Sequence, residues 1–193
     1  MMNIPAKALI SFAATFLMTT GLAVEAAHRS EPANAWKSKL EEILPLLGHR
    51  NWILIVDSAY PLQSSTGVET LETNADQVEV VRAVLEELHH SIHVRPVVYM
   101  DSELPFVTEK DAPGVTAYRR ALKAVIGSQA IQSLPHEQIL QKVDETGKVF
   151  HIFVLKTIMT IPYTSVFLQL NAKYWGDEEE QRLREAMRQA GRK

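Results

Sequence analysis

Five apolar residues in a row, Trp52-Ile53-Leu54-Ile55-Val56, end abruptly at Asp57. A strand with one wet face alternates apolar and polar residues, and this run does not. It is too short for a buried helix and holds three β-branched residues, so it reads as a strand covered on both faces. A sheet of such strands needs helices on each side. The expected class is therefore α/β: a layered α/β/α domain with a mostly parallel central sheet.

The flanking sequence supplies elements for that architecture. Ahead of the run, Trp36, Leu40, Ile43, Leu44 and Leu47 fall on one helical face. Asn34 can cap this helix and Gly48 can close it, while Pro45 strains its last turn. Residues 58–74 are rich in Ser, Thr, Gly and Pro and read as loop. Val78, Val81, Leu85 and Leu88 then share a helix face, with Thr73 or Asn74 as the start signal. Val94 to Met100 reads as a second strand ending at Asp101, and Pro96 within it implies an edge position or a bulge. After a loop at 102–114, Tyr118 to Ile126 and Ile131 suggest one or two helical turns, and Pro135 to Val143 another short helix. Val149 to Thr157 and Thr164 to Leu170 are the third and fourth strands.

The two ends of the chain read differently from this domain, which spans 28–175. Residues 1–27 have Lys7 as their sole charge before Glu25, an apolar stretch interrupted by Thr19-Thr20-Gly21, and small residues around Ala26-Ala27. That is the pattern of a cleaved export signal, which predicts a periplasmic or secreted protein with no membrane attachment after cleavage. An uncleaved anchor is the alternative, for which the apolar run is short. Residues 176–193 form a charged helix with acids first and bases last, as the helix dipole favours. Its weak stripe of Leu183, Ala186, Met187 and Ala190 predicts packing on the body or on a neighbouring subunit.

Composition removes several functions. The chain has no cysteine, which excludes thiolate metal sites, disulfides and cysteine nucleophiles. Lys and Arg number 20 against 23 Asp and Glu, so there is no basic excess to neutralise a nucleic acid. His89, His90 and His93 could place two imidazoles on one helix face, but helix C-terminal histidines also suit the dipole, and no metal site is expected. Thr146-Gly147-Lys148 lacks the upstream glycine of a phosphate loop and reads as a turn.

In layered α/β sheets ligands gather beyond the carboxyl ends of the strands. Three polar segments stand near strand ends: Gly48-His49, Asp57-Ser58-Ala59-Tyr60-Pro61, and Pro162-Tyr163-Thr164-Ser165. Singly, each is also an ordinary helix end or turn. Together, Leu47-Gly48-His49, a buried strand and Asp57-Ser58-Ala59-Tyr60-Pro61 resemble the opening motif of the ribose pyranase / fucose mutarotase (RbsD/FucU-like) family. That motif is L-G-H, a hydrophobic strand, then D-A-x-[LF]-P. Pro162 to Leu168 is similar to the family's closing motif, Y-[AG]-N and an apolar strand, with Ser165 standing where the family has Asn. The resemblance spans roughly residues 36–170.

The resemblance implies an isomerase that interconverts cyclic forms of a free monosaccharide, such as ribose or fucose, by acid/base ring opening and closure. It implies no cofactor, and a homo-oligomer with pockets at subunit contacts. His49 would shuttle the proton, an imidazole being suited to transfer near neutral pH. Asp57 would bind sugar hydroxyls or hold the histidine tautomer, and Tyr163 and Ser165 would bind sugar hydroxyls. His136 lies near a second histidine of ribose pyranases, or is simply exposed in a helix's first turn. The alternative function is a non-catalytic sugar- or small-ligand-binding domain of the same fold. A third is an interaction module acting through the C-terminal helix. The enzymatic reading requires His49, Asp57 and Tyr163 to meet in one polar hollow, within a chain or across neighbouring protomers.

Overall fold

A computed structural model describes residues 35–191; the segment 1–27, expected to be an export signal, and Asn34 lie outside the described residues. Helix α1 (Ala35–Ile43) leads through a 3-10 turn at Leu44–Leu46, which holds the strained Pro45, into strand β1 (Trp52–Val56). Strand β2 (Val68–Glu72), helix α2 (Gln77–His90), strand β3 (Val94–Asp101) and helix α3 (Val115–Ile126) follow. The chain continues through β4 (Ile131–Leu134), α4 (His136–Gly147), β5 (Ile152–Lys156), β6 (Val166–Ala172) and α5 (Asp177–Ala190).

The strands form one sheet in the order β2-β5-β1-β6-β3-β4. β5 runs parallel to both β1 and β2, and β3 runs parallel to β4. β6 is antiparallel to its two neighbours, with Ile55 opposite Val166 and Trp52 opposite Gln169. Five strands therefore point one way and β6 alone points back. This reversal brings the start of β6 to the carboxyl ends of the other strands, and its end to their amino ends.

All five residues of β1 are buried, divided by the pleat between two cores. Ile53 and Ile55 face a large core with Trp36 and Leu40 of α1, Val80, Val81, Val84 and Leu88 of α2, and Val115, Leu122 and Ile126 of α3. Trp52, Leu54 and Val56 face a smaller core closed by Ile139 and Val143 of α4. Three helices cover one face of the sheet and a single helix covers the other. The thin cover leaves an open hollow at each end of α4.

The layered class and the central strand are as expected, and several local readings are corrected. β2 arises inside the expected loop at 58–74, and β4 takes up Ile131, which the helical reading had claimed. Both are edge strands, β2 half-buried and β4 largely exposed, so neither carries a buried apolar run. α3 spans twelve residues and stops at Gly127, whose φ of 64° suits glycine. α2 is capped by Asp76, whose carboxylate accepts from the N–H of Val78 and Glu79, in place of Thr73 or Asn74. α4 runs on to Gly147, so the segment read as a turn begins as the last helical turn. Pro96 lies outside the stretch of β3 that β4 pairs, where a missing N–H costs no ladder bond. α5 buries none of its residues, so it does not pack on the body of its own chain.

Candidate functional site

At the carboxyl ends of the parallel strands lies a hollow of about 470 Å³. Its walls are the turn after β1 (Asp57 to Pro61), the first turns of α4 (His136 and Leu140) and the segment before β6 (Thr160 to Tyr163). Each polar wall residue is placed by local chemistry. Asp57 follows β1 directly and its Oδ1 accepts the N–H of Ala59 at 2.8 Å, which folds the chain into an Asx turn. Tyr60 lies beneath, largely buried. Burial, with Asp144 and Asp57 adding, pushes its phenol up to about 12, so it remains protonated.

His136 opens α4. Its backbone N–H donates to both carboxylate oxygens of Glu103, at 3.0 and 3.2 Å, an interaction that caps the helix from the loop after β3. Its ring Nδ1 is 3.0 Å from Oδ2 of Asp101, the last residue of β3. The ring stands edge-on to Tyr163, with centroids 5.6 Å apart and planes at 86°. The Asp101 side chain has no exposed surface. Its burial raises the carboxyl to about 6 although the adjoining His136 pulls the other way; Glu103 and Asp57 add to the rise.

Tyr163 adopts φ = 58°, a left-handed conformation uncommon outside glycine. The next residue shows how it is held. The Thr164 carbonyl accepts from the Tyr118 hydroxyl at 2.6 Å and from the Gln77 amide. The Thr164 hydroxyl donates to Ile161 O at 2.7 Å. Gln77 and Thr164 have no exposed surface, and Tyr118 is also buried. α2 and α3 thus grip the far side of the segment that presents Tyr163.

Asp57, His136 and Tyr163 therefore share one hollow. His49 does not join them within the chain. It precedes β1 while Asp57 follows it, so about 17 Å of extended strand separates the two ends. His49 is exposed at the amino end, where its Nδ1 pairs with Asn171 Oδ1 at 2.8 Å. Within one chain, therefore, His49 does not meet Asp57 and Tyr163. Ser165 is also displaced: it is buried at the entry to β6 and does not line the hollow. Asp101 was missed, although an acid closing a buried strand is the same signal that marked Asp57.

A second hollow, of about 400 Å³, lies at the amino end around His49. Trp52 and Tyr99 stack on its floor with centroids 5.2 Å apart, and Arg50 and Lys142 stand on its walls. Of the helix-end histidines, His93 has both ring nitrogens engaged, with Ser91 Oγ and the Leu47 carbonyl each at 3.0 Å. Among the described residues, no cluster of three or more His, Asp or Glu could hold a metal ion.

Several solved structures are similar to this chain. RbsD of Bacillus subtilis complexed with D-ribose is 22% identical, covering 69% of this chain and 92% of that one, with a TM-score of 0.49. The fucose mutarotase of Streptococcus pneumoniae in complex with L-fucose is 17% identical, covering 69% and 91%, with a TM-score of 0.47. FucU of Bifidobacterium longum is 18% identical, covering 69% and 92%, with a TM-score of 0.48. No curated protein matches the chain in sequence. A sequence model of the RbsD / FucU transport protein family matches residues 33–172, which takes in both hollows and every strand. The chain belongs to the RbsD / FucU family.

Proposed function

We propose that this protein binds a free monosaccharide in the carboxyl-end hollow and interconverts its cyclic forms, as a mutarotase or pyranase. The observation that carries this reading is the meeting of Asp57, His136 and Tyr163, from three separate segments, around one hollow in a chain of this family. The volume falls within the usual range of small-molecule sites, about 300–1,000 Å³. A carboxylate, an imidazole and a phenol together offer the donors and acceptors that sugar hydroxyls need. Two family structures carry D-ribose and L-fucose, so these are the first sugars to test.

The reaction needs a base for the anomeric hydroxyl and an acid for the ring oxygen. As the anomeric proton leaves, the bond from the anomeric carbon to the ring oxygen breaks and that oxygen is protonated. The open aldehyde then rotates and recloses with the proton movements reversed. His49 supplies one imidazole only if it enters from another copy. Opposite ends of one subunit meeting in this way make a head-to-tail contact, which closes into a ring when the rotation allows. His49 is exposed and its Nδ1 is already bound to Asn171, which leaves Nε2 to reach a neighbour.

NMR exchange spectroscopy on ribose and fucose tests the proposal. His49→Ala and Asp57→Asn should each lower the anomer exchange rate 10²–10⁴-fold. Mixing and reassembling the two variants should restore part of it, because some contacts then pair an intact His49 with an intact Asp57. Failure of the mixture would remove the shared site. A second reading, sugar binding without turnover, is favoured by the separation of His49 from the hollow. It predicts saturable sugar binding by the wild type with no gain in exchange rate.

A further inference from the structure

We propose that Asp101 is a positioning residue that decides which ring nitrogen of His136 carries the proton, so that Nε2 meets the hollow as a proton acceptor. This deepens the sugar-isomerase reading and rests on it. His136 is fixed from two sides: Glu103 holds its backbone N–H, and Asp101 Oδ2 lies 3.0 Å from ring Nδ1. An ionised carboxylate can only accept, so Nδ1 must carry the hydrogen and the Nε2 lone pair is left free. An imidazole in that state can take a proton from a sugar hydroxyl, and the imidazolium formed is stabilised by the carboxylate behind it.

Stability does not account for Asp101. Its carboxylate is fully buried, and the second oxygen, Oδ1, has no hydrogen-bond partner. The groups around it come from several elements: Glu103 beyond the same strand, His136 on α4, and Asp57 beyond β1. On the opposite side, Arg119 and Lys123 of α3 line the groove that Asp101 borders. The Arg119 guanidinium is itself occupied by the carbonyls of Leu104, Pro105 and Val107. Burial outweighs His136 and raises the carboxyl to about 6. A carboxyl whose folded-state value lies above its unfolded one binds protons more tightly when folded. The stability it adds is present in acid and lost as pH rises through about 6. Above that pH the ionised side chain is a cost that buys only the orientation of His136. Below it, a protonated Asp101 can donate to Nδ1, which places the ring hydrogen on Nε2 and turns the acceptor into a donor.

The tests are the Nε2/Nδ1 tautomer of His136, read by nitrogen-15 NMR on the full chain without sugar, and the pH profile of anomer exchange. In the wild type at pH 7.5 His136 should be the Nδ1–H tautomer. Asp101→Asn should shift it towards Nε2–H, keep the thermal midpoint at or above the wild-type value, and lower kcat about 10–100-fold with KM within about threefold. The wild-type fall in kcat below about pH 6 should disappear in the variant. An unchanged tautomer, or an unchanged kcat and acid limb, overturns the proposal. Should Asp101→Asn not fold, the wild-type tautomer followed from pH 7.5 to 5 decides, since no change through about 6 overturns it equally. A wild type that accelerates no sugar's exchange would defeat the isomerase reading, while the tautomer measurement would still judge Asp101.

Discussion

The two ends of β1 are built from the same sheet and flank the same helix, yet they are chemically opposed. At the carboxyl end Asp57, Asp101 and Glu103 gather around His136 and Tyr163. At the amino end Arg50 and Lys142 stand with His49 over the stacked Trp52 and Tyr99, and Glu145 is the sole acid among the lining residues. The carboxyl end is held from behind by the buried Gln77–Tyr118–Thr164 network. The amino end is held by more exposed ties: His49 to Asn171, the Gly48 N–H to Asn51, the Asn51 amide to the His151 carbonyl and the Tyr99 hydroxyl to Gln169. One end is therefore a braced recess with Asp57 as the acid on its walls, and the other an exposed surface where Arg50 and Lys142 outnumber Glu145. Each complements the other and neither can reach the other within one chain, which is the geometry that a head-to-tail contact between copies would use.

That contrast can be broken from either side. The largest effect should come from reversing the basic end: Arg50→Glu with Lys142→Glu should weaken self-association tenfold or more and leave the monomer folded, as sedimentation and circular dichroism would show. An unchanged assembly would mean that the charge opposition is incidental. The next effect tests the brace. Gln77→Ala removes the amide donor to the buried Thr164 carbonyl and Tyr118 hydroxyl and should cost about 1–3 kcal/mol in denaturant unfolding. Hydrogen exchange should quicken around residues 158–165 and stay unchanged near His49, whereas an equal rise at both ends would show that the two regions are not independent. The smallest effect should follow truncation after Gly176. α5 buries nothing and is held by its own ion pairs, such as Arg184 to Glu180 at 2.6 Å, so stability should move by less than about 0.5 kcal/mol. A larger loss would reveal contacts of α5 with another copy.

The site was partly legible. Asp57 and Tyr163 were visible as polar residues at the limits of apolar segments, His136 entered through the family resemblance, and the three share a hollow. Asp101 carries the same mark as Asp57 and could have been read the same way. The positions of His49 and Ser165, away from that hollow in the same chain, were beyond that kind of reading. A residue next to a strand in sequence is at one of two ends and on one of two faces, and only pairing decides which. The edge strands β2 and β4 were missed for a related reason. Half-exposed strands need no buried apolar run, and their identity comes from the neighbour that hydrogen-bonds to them.

The five-residue apolar run by itself determined that this chain builds a covered sheet, because such a strand can be stabilised only by apolar layers on both faces. Helical periodicity determined where most of those layers come from. The direction of β6 was left to the tertiary structure. Its apolar residues satisfy the sheet equally well in either sense, and the backbone hydrogen bonds to β1 and β3 choose the antiparallel one. That single reversal carries Tyr163 to Asp57 and His136, and leaves His49 at the far end of the sheet.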